Sequence, residues 1–260
     1  MMLLVIDVGN TEVTAGLFRG ADLVGRWRLT TAVDRTPDEW ALALESFAIR
    51  AGHSPAEIGA CCIASVVPGV TQSLIPALHL VLDGPVGVVD PREQLPLTLD
   101  VAEPLAVGAD RIANMLGALA LYPGDSIVVA FGTATTFNCV TVDRRFIGGS
   151  IMPGLRTSAD QLIRRAAKLT ATDLLPPTHV IGRTTDDNIR GGVLFGAADA
   201  ADGMVRRIRA EWPGGARPQV IATGGLASLV APLMTSVNVV DGDLTLHGLR
   251  IAAESLHLLG

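Results

Sequence analysis

Residues 3–29 read LLVIDVGNTEVTAGLFRGADLVGRWRL, and residues 126–152 read SIVVAFGTATTFNCVTVDRRFIGGSIM. Each stretch has an apolar run, a loop with glycine at the matching position (Gly9 and Gly132), a second apolar run, a polar turn and a third run. Short apolar runs separated by Gly, Asp and Asn predict β-strands. The two stretches therefore indicate an internal duplication, in which Asp7 of the first copy corresponds to Ala130 of the second.

Helical patterns follow the strands in both halves. Thr36-Pro-Asp-Glu39 predicts a capping box with proline at the first helical position, and the helix should run to about Ala51. Further helices are predicted at residues 70–82, 109–122, 157–168, 187–211, 226–234 and 246–258. The alternation predicts an α/β protein with two similar domains, residues 1–117 and 118–260, and a central cleft that could clamp a nucleotide.

Composition excludes several classes of function. The chain has 260 residues, is 49% hydrophobic and carries a net charge of −6, so a basic nucleic-acid-binding face is not expected. Lys168 is the only lysine, so the chain lacks the phosphate-binding motif GxxxxGK[ST]. The apolar start meets Asp7 at once, which favours a strand over a signal peptide and predicts a soluble, cytoplasmic protein with no membrane partner. Cys61, Cys62 and Cys139 are predicted to be buried free thiols.

Two glycine-containing loops are candidate phosphate sites. In DVGNT (residues 7–11), Gly9 permits close approach, and successive N–H groups could bind phosphate oxygens. Asp7 could hold Mg²⁺, through water since Mg²⁺ keeps part of its hydration shell. FGTATT (residues 131–136) would be the second loop. The alternative for each is an ordinary hairpin turn.

Two further motifs sit where strands and helices meet. In GADR (residues 108–111), Asp110 near a helix N-terminus could accept the proton of an attacking hydroxyl, and Arg111 could hold an anion. The alternative is a helix-capping aspartate beside a surface arginine. ATGGLA (residues 222–227) suits contact with adenine or ribose, or is simply a strand–helix connection that needs glycine.

The order of DVGNT, ASVVP (residues 64–68), VGADRIAN (107–114), FGTATTF, GGSIMPGL (148–155) and IATGGLA resembles type III pantothenate kinases. These belong to the acetate kinase/sugar kinase/Hsp70/actin superfamily. The resemblance covers essentially the whole chain. It implies two ribonuclease-H-like (actin-like ATPase) domains and ATP-dependent phosphorylation of pantothenate, the first step of coenzyme A synthesis. It also implies a homodimer, Mg²⁺, and a monovalent cation such as K⁺ or NH₄⁺.

The resemblance also implies roles for individual residues. Asp110 would be the catalytic proton acceptor. The ATP-binding residues would be Asp7, Val8, Gly9, Asn10, Thr11, Glu12, Val13, Thr14 and Thr133. The pantothenate-binding residues would be Gly108, Ala109, Asp110, Arg111 and Thr185.

The sequence departs from the family pattern at three positions. Ala130 stands where the family has the aspartate that binds the monovalent cation, and Asn138 replaces the aspartate after TTF. Val101 stands where the family usually has a tyrosine that touches pantothenate. We therefore expect weak or absent dependence on K⁺.

Three functions remain open from the sequence. The first is an active pantothenate kinase. The second is a degenerate homologue, weakly active or inactive, with a nucleotide-binding or regulatory role, since losing one such charge interaction costs about 10²–10³ in rate. The third is a kinase for another small hydroxylated acid, suggested by Val101.

Overall fold

The computed structural model describes residues 1–166 and 173–259, and the elements below are those of the described residues. The strands are β1 Met2–Val8, β2 Glu12–Arg19, β3 Asp22–Thr30, β4 Ile58–Ser65, β5 Val86–Val88, β6 Thr98–Leu99, β7 Ser126–Phe131, β8 Ala134–Val140, β9 Arg145–Pro153, β10 Gln219–Thr223 and β11 Val239–Val240. The α-helices are α1 Pro37–Arg50, α2 Pro68–Val81, α3 Ala109–Leu121, α4 Leu155–Arg165, α5 Thr185–Ala210, α6 Ala227–Val230 and α7 Leu244–Ser255. The end of the helix predicted over 157–168 lies outside the described residues.

The chain forms two compact units. Unit 1 contains Met1–Tyr122 and the C-terminal helix α7, and unit 2 is Pro123–Asp243. This division differs from the predicted domains 1–117 and 118–260 in two ways. The first boundary falls after α3, which runs to Leu121, and α7 returns to the first unit, where it packs on α3, β1 and β4. Glycines allow that contact: a Cβ on Gly248 would lie 1.7 Å from the Ala113 carbonyl oxygen. A sequence pattern does not reveal such a return of the chain.

The two units repeat one sheet topology. In unit 1 the strand order is β3-β2-β1-β4-β5, and in unit 2 the order β9-β8-β7-β10-β11 follows the same path. In both, the first three strands form an antiparallel meander, the fourth strand pairs in parallel with the first, and the fifth pairs in parallel with the fourth. The predicted α/β fold and its internal duplication are confirmed at the level of strand order.

Apolar residues from the sheets and helices form the core of each unit. In unit 1, Leu4 and Ile6 of β1 pack with Trp40 of α1 and Leu74 of α2. The capping box predicted for α1 is present: the Thr36 side chain accepts from the Glu39 N–H, and Glu39 accepts from the Thr36 N–H. In unit 2, the core side chains of β7 pack with those of α5. The three cysteines are free and buried, as predicted.

Two local predictions were wrong in detail. The second loop is shorter than FGTATT, because β8 begins at Ala134 and only Gly132 and Thr133 lie between the strands. The threonines after them join the strand, in agreement with their β-propensity. The helix predicted over 226–234 is one turn, α6, followed by the 3₁₀ turn Ala231–Leu233.

Candidate active site

The first hairpin places Asp7 at the end of the central strand of unit 1. Asp7 lies opposite Thr14 on β2 and opposite Ala64 on β4. The turn closes with the Gly9 N–H donating to the Glu12 carbonyl at 3.0 Å. One carboxylate oxygen of Asp7, Oδ1, is buried and has no hydrogen-bond partner. A buried carboxylate oxygen without a partner is costly, so this arrangement suits a cation or another donor supplied by a ligand.

The environment of Asp7 disfavours its charged form. Burial, together with the smaller effects of the charges of Asp110 and Glu12, raises the pKa of Asp7 from 3.8 to about 7. The interaction with Asp110 brings together two residues that lie 103 positions apart in the sequence. Both belong to unit 1, so this acidic pair is formed within one compact unit.

Asp110 lies in the first turn of α3 and folds back over the helix start. A Cβ on Gly108 would be 2.5 Å from Asp110 Oδ1 and 3.6 Å from Val66, which follows β4. Gly108 is therefore needed because the carboxylate occupies the space that a side chain would fill. Burial raises the pKa of Asp110, while hydrogen bonds from the backbone at Arg111 and Asp110 and the Arg111 charge oppose the rise.

The remaining residues of the first predicted ATP loop differ in which of their groups, side chain or backbone, could contact a ligand. The Val8 and Val13 side chains are buried in the core, so only their backbone groups could reach a ligand. Asn10 and Thr11 form the turn between β1 and β2, and Asn10 is exposed. Glu12 begins β2 and lies 3.7 Å from the Arg28 guanidinium.

The second hairpin has the same register with a different residue at its key position. Ala130 lies opposite Thr136 on β8 and opposite Thr223 on β10, as Asp7 lies opposite Thr14 and Ala64. Thr223 is 1% exposed, and its hydroxyl is buried without a hydrogen-bond partner. Thr223 lies within the motif ATGGLA, but the sequence did not predict its place beside position 130, which depends on the pairing of β10 with β7. Thr133, the predicted second ATP contact, is exposed at the tip of the loop.

ATGGLA packs against this second loop. Gly224 has a φ of +92°, and a Cβ there would lie 2.6–2.9 Å from backbone atoms of Phe131. The Leu226 N–H donates to the Phe131 carbonyl at 3.1 Å. Gly224 is thus explained by the connection between β10 and α6. A Cβ on Gly225 would meet nothing within 4 Å, so of the two glycines in this motif Gly225 is the one that leaves room for a ligand.

Thr185 lies at the start of α5, in a cavity of unit 2. The cavity has a volume of about 530 Å³ and is lined mainly by apolar residues of β9, α4 and α5, including Met152, Leu155 and Ile189. Thr184 caps α5: its hydroxyl accepts from the Asp187 N–H at 3.1 Å and donates to the Asp187 carboxylate at 2.8 Å. The sequence pattern gave no sign of this cavity.

Comparisons with known proteins agree with these motifs. A sequence model described as type III pantothenate kinase matches residues 3–207. A type III pantothenate kinase from Thermomicrobium roseum is 44% identical over 257 residues, which cover 98% of each chain. This chain belongs to the type III pantothenate kinase family.

Solved structures support the fold assignment. An archaeal actin homolog superposes with a TM-score of 0.55 at 14% identity, covering 98% of this chain and 99% of that chain. A protein from Campylobacter jejuni described as a conserved putative Baf family transcriptional activator gives a TM-score of 0.60 at 16% identity, covering 98% and 100%. These likenesses confirm the predicted actin-like fold.

The donor set of this family member limits where a metal could bind. Among residues 1–166 and 173–259, no group of three or more His, Cys, Asp or Glu side chains could hold a metal ion. The buried Oδ1 of Asp7 fits a metal that takes most of its ligands from elsewhere, such as phosphate oxygens and water. In the second hairpin, Ala130 offers no side-chain oxygen.

In the same described residues, no helix is long and apolar enough to cross a membrane.

Proposed function

We propose that this protein transfers the γ-phosphoryl group of ATP to the primary hydroxyl of pantothenate, giving 4′-phosphopantothenate. Family membership supports the reaction. The observation that carries the proposal within the structure is the pair formed by Asp7 and Asp110 in unit 1. Asp7 lies near the end of the strand that leads into a phosphate-type loop, and Asp110 lies in the first turn of α3.

Asp110 would act as the proton acceptor. Its carboxylate is held by backbone N–H groups at the start of α3, so it is oriented before the substrate arrives. Its raised pKa makes it a better base than an exposed aspartate. Gly108, Ala109 and Arg111 are the neighbours of Asp110 in sequence and would bind pantothenate with it, and Thr185 is a further proposed contact.

The hairpins would hold the nucleotide. Residues 7–14 and Thr133 would contact ATP, with backbone N–H groups of each loop directed at phosphate oxygens. Asp7 would hold Mg²⁺ through water, and the ion would neutralise phosphate charge. Positioning and charge stabilisation account for most catalysis of phosphoryl transfer, so a site with few reacting side chains is adequate.

The alternative is a homologue that keeps the fold and nucleotide binding but turns over weakly. Ala130 is the observation behind it, because the second hairpin lacks the carboxylate expected there. A coupled ADP-release assay with pantothenate on the native protein separates the two. Turnover of about 1–100 s⁻¹, ordinary for kinases, supports the proposal, and ATP binding without pantothenate-dependent ADP release supports the alternative.

The homodimer, the cytoplasmic location and the identity of the metal remain predictions. Sedimentation of the purified protein tests the first. The ADP-release assay with Mg²⁺, K⁺ and NH₄⁺ varied separately tests the third.

A further inference from the structure

Thr31, the residue after β3, holds the first loop through two hydrogen bonds. Its hydroxyl donates to the Gly9 carbonyl at 2.6 Å, and its backbone N–H donates to the Thr11 carbonyl at 3.1 Å. Two of the three carbonyls between β1 and β2 are therefore fixed by one residue that lies outside the loop.

Thr157 plays the same part in the second hairpin. It lies in the first turn of α4, after β9, which is the counterpart of β3. Its hydroxyl donates to the Thr133 carbonyl at 2.6 Å, and the Gly154 N–H donates to the same oxygen at 3.1 Å. A Cβ on Gly154 would lie 2.3 Å from the Gly132 carbonyl oxygen and 2.4 Å from that of Thr133, so glycine is required for this approach.

Holding a carbonyl also sets the direction of the next N–H. The described residues contain no cis peptide bond, and in a trans peptide the C=O and the following N–H point in opposite directions. The bond to Gly9 thus fixes the direction of the Asn10 N–H, and the bonds to Thr133 fix that of the Ala134 N–H. A free loop could instead turn a carbonyl oxygen toward an incoming phosphate, which would repel it.

We propose that Thr31 and Thr157 are positioning residues that keep carbonyl oxygens of the two loops turned away from the nucleotide and the following N–H groups turned toward its phosphates. This inference rests on the proposed function, because it assumes that each loop binds phosphate. Neither threonine needs to touch ATP, since each acts through the loop backbone.

The test replaces each hydroxyl while keeping the shape of the side chain. Thr31→Val should raise KM for ATP and lower kcat by about tenfold or more, because the Gly9 carbonyl loses the bond that orients its peptide. Thr157→Val should act in the same direction but less, since the Gly154 N–H still holds the Thr133 carbonyl. Thr31→Ser and Thr157→Ser, which keep the hydroxyl, should restore ATP kinetics to within about twofold, and KM for pantothenate should change little in all four variants.

Thr141→Val is the matched control. The Thr141 hydroxyl also donates to a backbone carbonyl, that of Arg145, at 3.2 Å. This bond lies in the turn between β8 and β9, at the end of β8 that is far from the phosphate loop. This variant should leave KM for ATP and kcat unchanged. If Thr31→Val or Thr157→Val lowers the melting temperature but leaves ATP kinetics unchanged, the hydroxyls have a structural role only. That result would overturn the proposal.

Nucleotide binding separates this inference from the proposed function. Calorimetric titration with ADP needs no turnover, so it reports on the loops even if pantothenate is not phosphorylated. Weaker ADP binding in the valine variants, restored in the serine variants, supports positioning by the threonines whatever the substrate. Equal ADP affinity in native and valine variants argues against it, even in an active kinase. If Thr31→Val does not fold, ADP affinity can still be compared between the native protein, Thr157→Val and Thr157→Ser, because Thr157 is at an exposed position.

Discussion

The β1–β2 hairpin and the β7–β8 hairpin have the same strand register but carry different side chains at the equivalent positions 7 and 130. In the first, an aspartate lies between a threonine and an alanine on the neighbouring strands; in the second, an alanine lies between two threonines. The first hairpin faces a second acid, Asp110, whereas the second hairpin is packed beneath the ATGG turn. Repetition of the fold therefore preserves the strand register of the two hairpins, while only the first hairpin keeps an aspartate at the strand position before its loop.

The largest expected effect comes from removing the second acid of unit 1. Asp110→Asn keeps the size of the side chain but cannot accept the substrate proton, so kcat should fall by about 10²–10⁴ with KM for ATP little changed. The ADP-release assay measures both constants. Asp38→Asn, which alters an exposed acid in the first turn of α1, is the control. Activity within tenfold of native in Asp110→Asn would contradict the assignment of Asp110.

Ala130→Asp tests whether the two hairpins differ because of one side chain. The new carboxylate would restore a cation ligand to the second hairpin, so the variant should gain activation by K⁺ or NH₄⁺ of about tenfold or more. The native protein, assayed with K⁺ replaced by a large organic cation, should lose little activity. Strong K⁺ activation of the native protein would show that another ligand replaces the carboxylate.

The charge of Asp7 should make the stability of unit 1 depend on pH. Its pKa is about 7 in the folded protein and near 3.8 when exposed, so between these pH values the folded state keeps a proton that the unfolded chain has lost. The free energy of unfolding of the native protein therefore falls as pH rises from about 4 to 7 and levels off above pH 7. An asparagine at this position does not titrate, so a variant that carries it should not show this fall. In EDTA at pH 8, Asp7→Asn should exceed the native protein in free energy of unfolding by on the order of 2 kcal/mol.

Urea denaturation at two pH values checks this sign. At pH 4 the advantage of Asp7→Asn over the native protein should nearly vanish. An equal difference at pH 4 and pH 8 would mean that the carboxylate is not the cause. The same variant should be impaired as a kinase, so its gain in stability and its loss of activity have one origin.

The smallest effects are expected at the loop glycines. A Cβ on Gly9 would lie 3.0 Å from the Glu12 carbonyl oxygen, whereas one on Gly132 would lie 3.7 Å from that of Ala134. Gly132→Ala should therefore change the melting temperature by no more than about 2 °C, and Gly9→Ala should lower it by a few degrees. Thermal unfolding followed by circular dichroism ranks the two. A larger loss in Gly132→Ala would show that the shorter loop is the tighter one.

The repeated pattern predicted the strands, the two loops and the position equivalent to Asp7, because strand periodicity and turn glycines are local properties of the sequence. It could not predict that α7 completes unit 1, since that depends on how closely Gly248 approaches α3. Asp110 was proposed from the resemblance and from its place at a helix start, but its interaction with Asp7 required the tertiary structure. Thr31 and Thr157 belong to no motif, and Thr223 lies in ATGGLA without a role suggested by the sequence. Only strand pairing and loop packing bring these threonines to the hairpins.

The return of α7 to unit 1 has a consequence for synthesis on the ribosome. The β1–β5 sheet emerges first, but the helix that covers α3, β1 and β4 is translated only after the whole of unit 2. At about 5–20 residues per second, the nascent first unit waits on the order of ten seconds with apolar surface uncovered. Unit 2 is continuous in sequence, and its last strand is translated just before α7, so the unit that starts second is the first to have its whole chain.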